Sequence, residues 1–233
     1  MNVGGLRLRL ARGAIWVALA AAALAAGAAE LGYSRSLTPG LMAHRERQFG
    51  AGARARLEGW KALVREAAAM EGTARQPGED RLLQPVNRFF NRIPSMTDLA
   101  HWGVEDYWAT PSETVASDGA DCEDYAIAKY FTLKELGVPI SRLRLVYAKT
   151  WRSGEAHMVL AYYPAPGAEP LILDNLEGNI QPASDRPDLI PVYTFNDEDL
   201  LWPQAGAPTV RLSATSSRKW KDVLDKLQRE LTY

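Results

Sequence analysis

The chain has 233 residues, with 27 Lys and Arg against 28 Asp and Glu and a formal charge of −1. Hydrophobic residues make up 47% and charged residues 24%, fractions of an ordinary globular protein that exclude disordered, collagenous and multi-span membrane chains. The balanced charge gives no basic face for nucleic acid, and a lone cysteine, Cys122, excludes an internal disulfide and a Cys-based zinc site.

The first stretch combines three basic residues (Arg7, Arg9, Arg12), an apolar run from Ala14 to Ala26, and the small-residue pattern Ala26-Gly27-Ala28. That is the layout of a cleavable secretory signal, expected over residues 1–28. The run is shorter than the ~20 residues a bilayer span takes, although an uncleaved N-terminal anchor is the alternative. Removal of 1–28 leaves 24 bases against 28 acids, so the remaining chain (29–233) is mildly acidic at −4. An unpaired thiol in an exported protein is a liability unless it is buried or has a task.

Apolar residues recur at helical spacing from Pro39 to Met70, with Gly50 and Gly52 expected to split the run into two helices. A further helix is expected from Glu79 to Asn91, closed by Pro94. Ser95 to Ala120, rich in Trp, Tyr, Asp and Gly, reads as loop. Asp121 to Leu136 reads as a helix with Ala126, Ile127, Tyr130, Phe131 and Leu133 inward, started by Ser117 or Asp118 and stopped by Gly137-Val138-Pro139. The period then switches to two, giving strands at Leu143–Ala148, Ala156–Tyr163, Pro170–Asp174 and Val192–Phe195. The tail returns to helix over about 217–231. The order predicts an α+β fold in one domain: a helical part at about 39–136, an antiparallel sheet at about 141–196 and a closing helix.

Cys122 falls in the first turn of its helix, where unpaired N–H groups and the positive dipole end favour a thiolate. His157 lies 35 residues on and Asp174 a further 17. On neighbouring strands they would face one side, with His157 as the proton carrier and Asp174 as the group that orients it. Each has a plainer reading: a small buried hydrophobe, a structural strand histidine, a turn-starting Asx. Trp102, Trp108 and Tyr125 fit a cleft wall or the core equally well.

The block Gly119-Ala120-Asp121-Cys122-Glu123-Asp124-Tyr125-Ala126, running into Ala128-Lys129-Tyr130, resembles the bacterial transglutaminase-like cysteine proteinases, and among them the LapG type. Asp106-Tyr107-Trp108-Ala109-Thr110-Pro111, Val86 to Asn91, His157-Met158-Val159-Leu160 and Leu173-Asp174-Asn175 carry the same resemblance, which spans about 41–195. It implies a papain/transglutaminase-like core, a Cys122, His157, Asp174 triad, and a periplasmic endopeptidase cutting a large surface adhesin near its N-terminus at a di-alanine site. It also implies sequestration by an inner-membrane receptor for cyclic di-GMP, and calcium held beside the nucleophile by Asp121 and Glu123 with Asp124. A monomer is expected.

Calcium has an independent motive. Asp121, Glu123 and Asp124 surround the thiol with negative charge and oppose the thiolate, and a hard cation with oxygen ligands cancels that charge. The alternative is that acids simply favour a first helical turn. Two rival functions stay open: a transglutaminase or amidase on the same fold, and a non-catalytic calcium-responsive binding module.

Overall fold

A computed structural model of the chain describes residues 37–73, 80–204 and 207–233; the expected signal peptide, 1–28, lies outside them. Helix α1 (Pro39–Phe49) starts where Thr38 accepts the Leu41 N–H and Pro39 fills the first turn, where an amide would lack a partner anyway. Gly50 ends it at φ 85°, in the left-handed region that glycine enters freely. Helix α2 (Gly52–Thr73) follows, as expected from the two glycines, and then α3 (Asp80–Phe90). On α2, Leu57, Trp60 and Val64 recur at helical spacing and are buried. The indole of Trp60 donates to Thr132 at 3.0 Å and ties α2 to the central helix.

The segment expected to be loop holds two short helices, α4 (Asp98–Trp102) and α5 (Pro111–Ser117). Thr97 caps α4; Thr110 and Glu113 form a reciprocal capping box on α5. Six consecutive residues of α5, Pro111 to Ala116, are buried, so the helix has no polar side and leaves no periodic trace in the sequence. Helix α6 (Cys122–Glu135) starts from Asp121 rather than from Ser117 or Asp118; Asp118 closes α5 at φ 60°. Its far end stops at Gly137, φ 90°, as expected.

Seven strands follow: β1 (Leu143–Thr150), β2 (Ala156–Tyr162), β3 (Leu171–Leu173), β4 (Gln181–Pro182), β5 (Leu189–Phe195), β6 (Asp199–Gln204) and β7 (Ala207–Ser213). They form one sheet in the order β4-β3-β2-β1-β5-β6-β7, with every neighbouring pair antiparallel. The hairpin of β6 and β7 was not expected. Helix α6 lies on β1 and β2. Helix α7 (Arg218–Glu230), capped by Ser217, sends Trp220 into the core among Tyr130, Phe131 and Phe195. The helices-then-sheet α+β architecture is the expected one. No helix among the described residues is long and apolar enough to cross a membrane.

Candidate active site

Asp121 is extended (φ −112°) at the start of α6, and its side chain makes no capping bond. Cys122 is the first helical residue, followed by Glu123 and Asp124 in the same turn. The thiol donates to Glu123 Oε2 at 3.1 Å. Burial pushes its pKa up, the negative charge of Glu123 and Asp121 pushes the same way, and a backbone hydrogen bond from Met158 opposes them. The helix end alone would lower it, so burial and neighbouring acids outweigh the dipole here.

His157 and Asp174, expected to share a side of the sheet, are in direct contact: Nε2 and Oδ1 are 2.8 Å apart, and both residues are buried. Burial pushes the Asp174 carboxyl up, but the hydrogen bond and charge of His157, with Arg186 and the Leu176 N–H, win and hold it at about 2. Asp174 is therefore an acceptor, so Nε2 carries a proton and the Nδ1 lone pair of the neutral ring is the base. No hydrogen bond among the described residues joins the sulfur to the imidazole; its partner is Glu123.

Two supports of Asp174 were not among the site residues expected from the sequence. Arg186 donates from Nη2 to Asp174 Oδ2 at 2.7 Å, and Asp188 holds the guanidinium through Nε at 2.9 Å and Nη2 at 2.8 Å. Asn91, on the turn after α3, donates to the Asp174 backbone carbonyl at 2.8 Å. A cleft of about 360 Å³ opens beside these groups, lined by His157, Leu176, Glu177, Arg186, Asp188 and Leu189.

The carboxylates around Cys122 form a second centre. Asp98, Asp121 and Asp124 each bring one oxygen within 4.8 Å of the others, and Asp98, Asp106 and Glu123 do the same. Asp98 and Asp106 had not been expected in the set, because they come from α4 and the loop after it. Asp124 Oδ1 accepts the Ala109 N–H at 2.7 Å. Among the described residues, Asp124 Oδ2 and Asp121 Oδ1 are buried with no hydrogen-bond partner. Burial, then Glu123 and Asp124, pushes Asp121 up to about 9; burial also pushes Asp98 and Asp124 up. Buried carboxyl oxygens that converge without donors fit a hard divalent cation, which supplies the charge and the ligand bonds they lack.

The aromatic residues that fitted cleft or core are divided. Tyr125 is buried, with its hydroxyl on the Ile93 carbonyl at 2.6 Å, and Trp108 stacks on Phe195 with ring centroids 5.9 Å apart. Trp102 is half-buried beside Tyr107.

Residues 63–190 match the family described as bacterial transglutaminase-like cysteine proteinase, BTLCP. The chain belongs to this family. Among solved structures it is similar to Legionella pneumophila LapG after EGTA treatment, at 37% identity and a TM-score of 0.68, with 80% of this chain and 95% of that one covered. Calcium-bound LapG from the same organism is similar at 39% identity and a TM-score of 0.64, with 80% and 97% covered. No curated protein sequence matches the chain. Family and neighbours make this a cysteine peptidase of the transglutaminase-like fold.

Proposed function

We propose that the protein is an exported, calcium-dependent cysteine endopeptidase that cuts a large surface adhesin near its N-terminus, at a di-alanine site, and so controls biofilm attachment. Cys122, His157 and Asp174 carry the chemistry. The observation that carries the reading is the 2.8 Å bond from His157 to an Asp174 held ionised, on the strand against which the Cys122 helix packs.

His157 Nδ1 takes the thiol proton, and the thiolate attacks the scissile carbonyl carbon. The C=O bond opens to an oxyanion, which the Cys122 backbone N–H at the helix end is placed to stabilise. The tetrahedral species collapses, the C–N bond breaks, and the imidazolium gives its proton to the leaving amine. Water then attacks the thioester with His157 again as base, which releases the carboxylic acid and restores the thiol. Asp174 keeps the ring in one tautomer and offsets the imidazolium charge.

Asp98, Asp121 and Asp124, with Glu123 and Asp106 beside them, would hold calcium. Bound there, the ion supplies positive charge that favours the thiolate and fixes the loop leading into α6. The EGTA-treated and calcium-bound LapG structures support calcium as the cation. Periplasmic delivery rests on the signal-like sequence at 1–28, and sequestration by a membrane receptor for cyclic di-GMP rests on the family resemblance.

The test is incubation of the protein with N-terminal fragments of candidate adhesins, with and without calcium, beside Cys122→Ala. Two polypeptide products that need both calcium and Cys122 are expected. Amine-linked adducts would point to a transferase instead, and full processing by Cys122→Ala would end every reading in which Cys122 is the nucleophile.

A further inference from the structure

Tyr147, Tyr193 and Trp202 stand side by side on three adjacent strands. Tyr147 on β1 pairs with Tyr193 on β5, and β5 pairs with β6, which carries Trp202. The ring centroids of Tyr147 and Tyr193 are 4.9 Å apart at an interplanar angle of 10°, and those of Tyr193 and Trp202 are 5.8 Å apart at 35°. On its other side Tyr147 pairs with Met158 on β2, the strand against which the Cys122 helix packs. The row therefore begins one strand from the nucleophile and leads away from it. Cys122, Tyr147 and Tyr193 all pack, partly buried, on the same core cluster, so the rings and the sulfur share a side of the sheet. Trp202 ends the row 47% exposed.

We propose that this row is the binding track for the substrate segment N-terminal to the scissile bond, and that it is fitted to an extended stretch with apolar or proline side chains. The inference rests on the endopeptidase reading above. The imidazole must reach the leaving amine, so the segment C-terminal to the bond turns toward the cleft lined by His157, which faces the other side of β2 from Met158. The acyl segment extends the other way, from the sulfur across β1, β5 and β6. Three inter-strand steps of ~4.8 Å give roughly 14 Å, the reach of about four extended residues at ~3.3 Å each. Rings with hydroxyl or indole N–H edges offer flat apolar contact to side chains and hydrogen bonds to a peptide backbone, as aromatic grooves do for extended and proline-rich peptides. Such rings lose little conformational freedom when a peptide lands on them.

The experiment compares two fluorogenic peptides with the same di-alanine core. One is acetylated directly before the core; the other carries four more residues on that side, with leucine and proline among them. The wild type is expected to show a higher kcat/KM on the long peptide, through KM. In Trp202→Ala and in Tyr147→Ala the ratio of long to short should fall toward one, a loss of roughly tenfold for an aromatic anchor. A fold defect lowers both rates and leaves the ratio standing. Trp202 is exposed, so that variant keeps the test open if Tyr147→Ala does not fold. Equal wild-type rates on both peptides overturn this inference alone, as does a ratio unmoved in the variants, or sedimentation that finds a dimer lost on Trp202→Ala. A wild type that cleaves neither peptide nor any adhesin fragment overturns the endopeptidase reading, and this inference with it.

Discussion

Arg186 gives one N–H to Asp174 Oδ2 across 2.7 Å, on the carboxylate oxygen that His157 leaves free. Asp174 thus has a cation on one oxygen and the imidazole on the other. A hydrogen bond to a charged group is worth about 1.5–3 kcal/mol. Arg186→Met is expected to lower kcat/KM by roughly 10- to 100-fold at the pH optimum, with the loss in kcat. Peptide turnover measures it; unchanged kcat in a folded variant would show that Asp174 needs no clamp.

Asp174 also sets an acid limit. Its pKa is held at about 2 against an ordinary 3.8. A carboxyl depressed by folding contributes stability above its ordinary value and loses it as pH falls through the folded value, here between about pH 4 and 2. The amount is about 2 kcal/mol, at ~1.4 kcal/mol per unit. Acid unfolding of Asp174→Asn should therefore lack this step, and Arg186→Met should begin it at higher pH. Superimposable acid-unfolding curves for the variants and the wild type would refute it.

Asp98 meets Asp121 and Asp124 on one side and Asp106 and Glu123 on the other. Asp98→Ala is expected to weaken calcium binding about tenfold or more, the scale on which even outer-shell partners act. Chelation of the wild type should remove activity while the far-ultraviolet circular dichroism stays folded. Titration calorimetry with calcium decides the first point; an EGTA-treated wild type at full turnover would dispose of the metal reading.

Lys129 lies on α6, fully buried, with an ammonium that has no hydrogen-bond partner among the described residues. Burial lowers its pKa to about 7, and Asp174 pulls it back up in part. The unfolded chain binds the proton more tightly than the fold does, so wild-type stability rises with pH from about 7 to about 10, by up to ~1.4 kcal/mol per unit. Lys129→Met should abolish that slope and be at least as stable at neutral pH. Parallel urea-unfolding series at several pH values provide the check.

Gly119 precedes the nucleophile loop without room for a side chain. A Cβ there would stand 2.6 Å from His101 Cε1 and 2.9 Å from Met96 Sδ. Gly119→Ala must push His101 off Ser117, whose hydroxyl it meets at 2.9 Å. Overpacking of this kind costs about 1–3 kcal/mol. A lower melting temperature and a lower turnover are expected together, because Asp121 sits two residues on. A melting temperature equal to that of the wild type would show that the ring yields freely.

Helix α6 was legible from its inward stripe of Ala126, Ile127, Tyr130, Phe131 and Leu133, and β1 and β2 from their alternation. The stripe did not show that Lys129, Thr132 and Asp124 are buried too, because a helix covered on all sides puts polar residues inward wherever partners or function hold them. Helices α4 and α5 are 5 and 7 residues long, too short for a period to emerge. Strand β6 hides behind adjacent Leu200 and Leu201 and a Pro203 that argues against a strand. His157 and Asp174 were legible as residue types in a suggestive order. Arg186, Asn91 and Asp98 were not: each reaches the site from a distant segment, by contacts that only the fold creates.

Trp220 enters the core from the final helix and is enclosed by Tyr130, Phe131 and Phe195. One indole thus ties the closing helix to the central helix and to β5 at once. Loosening α7 would open the same interior that holds up the far side of the nucleophile's helix, so damage far from the site in sequence would reach it through this one ring.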